Sequence, residues 1–335
     1  MPGFLSRGSV RVVLGLLVSA VFILVTLSRV DLALVAEAIG RVQPAGLVVA
    51  IGLVAIETSL RALRWHLLLQ PVRPTKYRSA VAYLCIGYLA NAILPARLGD
   101  LTRAYLAGGA FGIARIGVLG TILVERFSDG LFILAAVAVL GVVVAGGGSL
   151  ATSAAALGGI VLGGAVGLVV LIVVARRAGI HETRVGRIAS DLLARLAIGA
   201  VALRQPGTLA AVIGLTVLPF AVGVVIFDVI ARAVGVDLAI AQVALAFGAV
   251  SLSFAIPAAP GSVGTYEFVG VTVLTAYGVT AEVALATVLL VHVIVTISTS
   301  IAGLVAAWLL HFRVGTITRT AAAAASGAHV EADVP

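Results

Sequence analysis

The sequence predicts an all-α polytopic membrane protein, and three observations carry that prediction. Hydrophobic residues make up 61% of the chain and charged residues only 11%. Mean hydropathy is +1.22. The apolar runs also lack the every-second-residue alternation of a transmembrane barrel. No soluble domain of 335 residues has enough interior to hide so much apolar surface. The formal net charge of +8 comes almost wholly from arginine, since Lys76 is the only lysine; it reads as cytoplasmic-loop chemistry, and no nucleic-acid partner is expected. The single cysteine, Cys85, excludes an internal disulfide and a cysteine-cluster metal site.

Residues 10–28 have the length needed to cross about 30 Å of hydrocarbon. Arg7 and Arg11 precede them and no small-residue cleavage site follows, which marks a retained anchor with a cytoplasmic N-terminus. Residues 44–64 form the second span, after which Arg61, Arg64, Arg73, Lys76 and Arg78 crowd one cytoplasmic loop. Residues 80–94 are too short for a comfortable crossing and end at Pro95. The chain resumes beyond Gly99 as a half-helix from Asp100 to about residue 106, the pattern of a re-entrant hairpin. A long helix over 116–144 carries Glu125, Arg126 and Asp129.

Gly146, Gly147 and Gly148 mark an external turn, residues 152–175 return, and residues 176–204 read as a cytoplasmic amphipathic segment. Residues 208–231 cross outward. Residues 241–256 are again short and again end at a proline, Pro257. Pro260, Gly261 and Gly264 follow, with a half-helix from Ser262 to about residue 277. Residues 283–310 form the last span, and 320–335 are an Ala-rich disordered tail.

The layout is therefore a single transmembrane domain over 1–319 with about six full spans and two re-entrant hairpins. Outside the hairpins and helix interiors, the proposed inner side holds fifteen basic residues and the outer side three. That asymmetry places both termini in the cytoplasm of a cell-membrane protein. The first hairpin would enter from the cytoplasm and the second from outside. Sliding the sequence by 162 residues sets 94–100 on 256–262, matching Pro95 with Pro257 and Gly99 with Gly261. The expectation is an inverted repeat, with repeat 1 over about 10–146 and repeat 2 over about 152–312, and a site between the repeats.

Residues 91–105 are the first site candidate, because ionisable groups inside a bilayer are costly and normally face a protein interior or a wet cavity. The bland reading of the same stretch is a solvated loop. Asp100 and Ser262 occupy equivalent positions as N-caps, so each would start a half-helix whose free N–H groups attract an anion. Arg97, Arg103 and Arg126 would add bidentate donors suited to a phosphate. Glu57, Arg61 and Arg64 share a helical face that extends this lining to the inner surface. Glu125, Asp129 and Glu267 have three open readings: ion-pair partners for these arginines, ligands for a polar head group or cation, or proton acceptors that drive movement. Trp65 and Tyr77 read as interfacial markers. His292 lies within a span, and no histidine has metal-ligand spacing. Neither a nucleophile motif nor a phosphate-binding loop is present, so no metal or cofactor is expected.

Four motifs in combination, Arg61-Ala-Leu-Arg64-Trp65, Asn91-x-x-Leu-Pro-Ala-Arg-x-Gly-Asp-x-x-Arg103, Glu125-Arg-x-x-Asp129 and Pro257-x-x-Pro-Gly-x-x-Gly-x-x-Glu267, resemble the transmembrane, flippase-like region of the lysylphosphatidylglycerol synthases. The resemblance runs from the second span to the last. It implies translocation of lipids between leaflets, with aminoacylated phospholipids and polyprenyl-linked glycolipids as family substrates. Arg97, Asp100, Arg103, Glu125, Arg126, Asp129 and Glu267 would then line or brace the head-group path. Bifunctional members carry a soluble aminoacyltransferase domain after the membrane region, whereas about twenty residues follow the last predicted span here; a stand-alone member without synthase activity is expected. The leading expectation is a translocase of an anionic phospholipid or polyprenyl-phosphate lipid. The alternatives are a membrane transferase acting on a lipid phosphate and a secondary transporter of a soluble anion.

Overall fold

A computed structural model describes residues 7–94, 98–145, 198–256, 258–312 and 315. Among these residues the secondary structure is entirely helical, as a chain that must satisfy its own backbone in lipid requires. The external turn at 146–148, the return at 152–175, most of the amphipathic segment at 176–204 and the tail at 320–335 lie outside the described residues.

Helix α1 (Arg7–Leu27) and the short α2 (Leu32–Gly40) form a bent pair at 84°. Asp31 starts α2 by accepting the Ala33 N–H at 2.8 Å. Sequence reasoning did not separate α2, because its apolar residues run on from the first span across only four intervening positions. Helix α3 (Pro44–Leu69) begins with proline at its first position, where a missing N–H costs nothing. It runs five residues past the expected end at 64. Arg61 and Arg64 are therefore inside a helix, as their shared face with Glu57 requires, and not in the basic loop with Arg73, Lys76 and Arg78.

The pair α4 (Tyr77–Ile93) and α5 (Leu98–Phe111) flanks the first break. Helix α6 (Arg115–Ala145) follows after Gly112, whose φ of +61° turns the chain. After a 3-10 segment, Ile198–Arg204, come α7 (Pro206–Ala233) and α8 (Ile240–Ser253). The second break holds a 3-10 turn, Pro260–Ser262, and leads into α9 (Thr265–Ala276) and α10 (Ala281–Leu309). Helices α3, α7 and α10 are each long and apolar enough to span a membrane, and the α1–α2 pair qualifies as a fourth, broken span. Their outward faces are apolar: Val48 is 68% exposed, Ile213 57% and Ile301 55%, which is the surface that lipid covers.

Helices α3 and α7 pack antiparallel at the centre. Gly46, near the start of α3, lies against Ala233 at the end of α7, and Leu68 at the far end of α3 clusters with Val212 near the start of α7. Around them, α4 packs on α5 and α10, α8 on α9 and α6, α5 on α6, and α9 on α10. Small residues bring these helices close, the usual device where lipid removes the hydrophobic drive between helices. A Cβ on Gly303 of α10 would sit 2.5 Å from the Cys85 carbonyl oxygen and 2.6 Å from Leu89 Cβ of α4, whereas one on Gly52 of α3 would meet nothing within 4 Å.

Gly303→Ala is accordingly expected to destabilise the fold by about 1–3 kcal/mol through overpacking, and Gly52→Ala to stabilise it by a few tenths up to about 1 kcal/mol. Denaturation of the two variants in one detergent, read by circular dichroism, checks the opposite signs.

Candidate functional site

The polar residues of α3, α5 and α6 meet in one buried network. On α3, Arg61 and Arg64 are three residues apart and share a face; on α6, Glu125 and Asp129 are four apart and do the same. Arg64 holds Asp129 with two parallel bonds, Nη1 to Oδ1 at 2.5 Å and Nη2 to Oδ2 at 2.9 Å, and its Nη1 also donates to Thr216 Oγ1 of α7 at 3.0 Å. Its Nε lies 3.7 Å from Glu125 Oε1. Arg61 donates to Glu57 Oε1 through Nε at 2.9 Å and Nη2 at 2.7 Å, and its Nη1 lies 3.5 Å from Asp129 Oδ2.

Helix α5 supplies the rest. Arg103 donates from Nη2 to Glu125 Oε2, and its guanidinium lies over the Trp65 ring, 4.2 Å from the centroid. The Trp65 indole N–H donates to Thr121 Oγ1 of α6 at 3.0 Å. Asp100 accepts two bonds from Arg126, from Nη2 at 2.7 Å and Nε at 2.9 Å. Tyr88 of α4 lies among Arg61, Arg103, Glu125 and Arg126. The side chains grade from closed to open: Arg103 is 1% exposed, Arg64 2% and Glu125 5%, whereas Asp100 is 19% and Arg126 34% exposed. In a low-dielectric interior, pairing of this kind is what permits an arginine at all.

Close backbone approach sets α5 against α4. A Cβ on Gly99 would overlap the Gly87 carbonyl and Asn91, and one on Gly87 would come within 3.2 Å of Arg103 Cβ. Asn91 Oδ1 accepts the Gly99 N–H at 2.9 Å, satisfying one of the free donors that start α5. That helix begins at Leu98, so Asp100 is in its first turn and is not the N-cap. A Gly inside the turn is tolerated here because only a residue without Cβ fits against Gly87.

The second break departs from expectation in the same way. Ser262 belongs to the 3-10 turn, and the cap of α9 is Gly264, whose N–H donates to Glu267 Oε2 at 2.6 Å. The chain there is left-handed at Gly261 (φ +68°), Ser262 (φ +59°) and Gly264 (φ +92°), so Ser262 cannot start the helix directly. Glu267 also meets His292 of α10, and Tyr266 lies against the same imidazole with ring centroids 4.4 Å apart. Pro260 opens this turn. The two breaks approach each other where Gly261 faces the Ala92 carbonyl at the end of α4. Pro95, Arg97 and Pro257 lie outside the described residues.

The structure thus gathers Glu57, Arg61, Arg64, Asp100, Arg103, Glu125, Arg126 and Asp129 into one site and sets Glu267 beside the second break. Trp65, Tyr88, Thr121 and Thr216 belong to the site and were missed. Trp65 had been read as an interfacial marker but is fully buried. Its adjacency to Arg64, which places it one helical position away, was the available signal.

Removing Arg103 leaves Glu125 short of its main partner. Arg103→Met is expected to cost about 3–5 kcal/mol, as breaking a buried pair does, and Arg103→Met with Glu125→Leu to recover most of that loss. Thermal unfolding of wild type, the single and the double variant in detergent measures both steps.

Two comparisons with known proteins bear on this site. The model of the family described as the lysylphosphatidylglycerol synthase TM region matches residues 12–303, an interval that contains every residue of the network. The chain is also 29% identical over 336 residues to a protein of Haloferax volcanii named glycosyltransferase AglD; the match covers 88% of this chain and 53% of that protein. The chain spans about half the length of that relative. It is a multi-pass membrane protein, helical in its described residues, and belongs to the lysylphosphatidylglycerol synthase TM region family.

Proposed function

We infer that the protein is a lipid translocase that moves an anionic phospholipid or a polyprenyl-phosphate-linked lipid between leaflets. The observation that carries this reading is the graded arginine network: closed at Arg64 and Arg103, partly open at Asp100 and Arg126, and built between helices whose outer faces suit lipid. A head-group phosphate would meet Arg126 first, exchanging with the Asp100 carboxylate for the same planar donors. The acyl or prenyl chains would stay in the bilayer. Ser262 and Glu267 would complete the path where the two breaks meet.

An inverted repeat with two re-entrant hairpins and about six full spans is part of this reading. Exchange α3 with α7, α4 with α8, α5 with α9 and α6 with α10, and the packing partners carry over: α4 on α10 becomes α8 on α6, α3 on α10 becomes α7 on α6, and α2 on α10 becomes the 198–204 segment on α6. Helices α5, α8 and α9, at 14, 14 and 12 residues, rise about 20 Å at 1.5 Å per residue, short of a full crossing. Both support two halves that could rock about a shared site. The excess of arginine in the loops assigned to the inner side supports a cell-membrane location with both termini in the cytoplasm.

A second reading, a membrane transferase acting on a lipid phosphate, draws on the relative named a glycosyltransferase. Against it, Asp100, Glu125 and Asp129 each accept from an arginine, which disfavours any of them as a general base.

Purified protein in vesicles containing a fluorescent anionic phospholipid is expected to expose inner-leaflet probe to an external quencher faster than protein-free vesicles do. Arg126→Ala should slow this by about tenfold or more, the effect of losing one charge-assisted contact of about 1.5–3 kcal/mol. Wild-type vesicles no faster than empty ones would end the translocase reading, and a chemically altered lipid recovered from them would favour the transferase.

A further inference from the structure

The second break holds an ionisable pair that the arginine network does not use. The side chains of His292 on α10 and Glu267 on α9 are each 10% exposed. His292 Nδ1 lies 2.5 Å from Glu267 Oε1, and its Nε2 lies 2.9 Å from the Gly261 carbonyl oxygen. A carbonyl oxygen only accepts, so Nε2 carries a hydrogen. Nδ1 then faces a carboxyl oxygen at a distance that two bare lone pairs cannot share, so a further hydrogen lies between them. Imidazolium beside carboxylate and neutral imidazole beside carboxylic acid contain that same proton, which therefore belongs to the pair and not to either residue.

We propose that His292 and Glu267 form a proton-binding site, and that release of the shared proton opens the second break and so couples lipid movement to proton movement. The coupling clause rests on the translocase reading; the proton site does not. Release transfers the proton to bulk water and changes no other covalent bond. It leaves a bare nitrogen facing a carboxylate, or facing the Gly261 carbonyl, and separating α9 from α10 relieves either repulsion. Glu267 is well placed to transmit this, because its other oxygen caps α9 at Gly264 while the imidazole ties down Gly261. Between them Ser262 sits at φ +59°, a backbone state that a residue with a Cβ holds only while its surroundings impose it.

The neighbouring groups leave the pair as the proton carrier of this break. Tyr266 lies tilted against the imidazole, and Glu57 of α3 lies within electrostatic reach of Tyr266, with Arg61 bound to Glu57. Helix α8 carries no ionisable side chain. Helix α1 presents Ser19, whose hydroxyl accepts the Ala259 N–H at 2.8 Å, and its ionisable residues are Arg7 and Arg11 at its start. Helix α4 presents the Ala92 carbonyl, its nearest ionisable residue in sequence being Tyr88. Asp228 and Arg232 of α7 pair with each other, and Glu282, ten residues before His292, faces the Asp31 N–H.

The test begins with the pair itself. Full-length protein carrying ¹⁵N-histidine, in lipid nanodiscs, should show ring-nitrogen signals for His292, assigned by their loss in His292→Gln, that report a shared proton at the acidic end of a pH series and its release at the alkaline end. Ring-nitrogen signals that stay unchanged across the series would overturn the site. In vesicles, lipid flux through wild type should change about tenfold on imposing a gradient of about one pH unit, as a single-proton step allows. In Glu267→Gln, which keeps an acceptor for the Gly264 N–H, the change should shrink to about twofold or less. Titration of the ring with gradient-independent wild-type flux would overturn the coupling and leave translocation standing. Titration without any lipid movement by wild type would overturn the translocase reading and the coupling, and leave the proton site standing.

Discussion

An arginine inside a membrane protein must be matched by a carboxylate, and the arrangement of α3, α5 and α6 depends on that match. Arg61, Arg64, Arg103 and Arg126 face Glu57, Asp100, Glu125 and Asp129, so the four cations and four anions of the described network balance. Balance alone is insufficient, because a buried ion also loses its hydration and needs its hydrogen bonds replaced. Arg64 does so in part by reaching Asp129 twice and Thr216 once, and Arg103 adds the Trp65 face to its bond with Glu125, while the buried Nε of each is without a hydrogen-bond partner among the described residues. Shift α3 against α6 by one residue and the shared faces of Arg61 with Arg64 and of Glu125 with Asp129 separate. The network therefore fixes the register of helices whose apolar surfaces, being as content with lipid as with each other, do not fix it themselves.

The order of the helices was readable because hydropathy and breaker residues are local signals. The expected ends of the spans near 44, 116, 144, 283 and 310 lie within two residues of α3, α6 and α10 as they fold. What was not readable depends on partners distant in the chain. Arg64 resembled a loop arginine because a cation near the end of an apolar run usually marks the membrane surface; its burial is decided by Asp129, 65 residues on. His292 carried no pattern at all, since its partner Glu267 lies 25 residues earlier across a helix turn. The misplaced caps at Asp100 and Ser262 have a different origin. Gly99 enters the helix because Gly87 leaves it room, and left-handed backbone at Gly261, Ser262 and Gly264 delays α9 to Gly264. Neither the room at Gly87 nor the non-consecutive set of left-handed residues, Gly261, Ser262 and Gly264, is visible without the neighbouring backbone.

Those shifted caps change the chemistry expected of the helix ends. A free helix N-terminus attracts anions, but here the first turns already have occupants: Asn91 and Asp100 at α5, Glu267 at α9. Carboxylates in those positions satisfy the helix dipole and compete with any incoming phosphate. On the translocase reading, recognition then falls to the arginines, and it proceeds by exchange, one carboxylate giving way to one phosphate. Exchange keeps the site near neutrality at each step and avoids the cost of a buried unpaired charge. It also limits affinity, since the phosphate gains only the difference between its own bonds to Arg126 and those of Asp100. A carrier benefits from that limit, because a cargo bound by a fully unpaired cluster of arginines would not leave.

The same logic separates the two breaks by task. At the first, every described arginine has a carboxylate partner, and protonating one carboxylate would strand a buried guanidinium. At the second, the facing ionisable groups are an imidazole and a carboxyl, with no permanently charged guanidinium bonded to either among the described residues. A proton can therefore enter or leave beside Glu267 without stranding a permanent charge, and the left-handed turn at 261–264 lies directly against it. Since Gly261 also faces the end of α4 at Ala92, movement of that turn reaches the helix that carries Gly87 and Asn91 against α5. On the translocase reading, the permanent charges of the first break would hold a head group's place, and the proposed proton site lies beside the left-handed turn of the second.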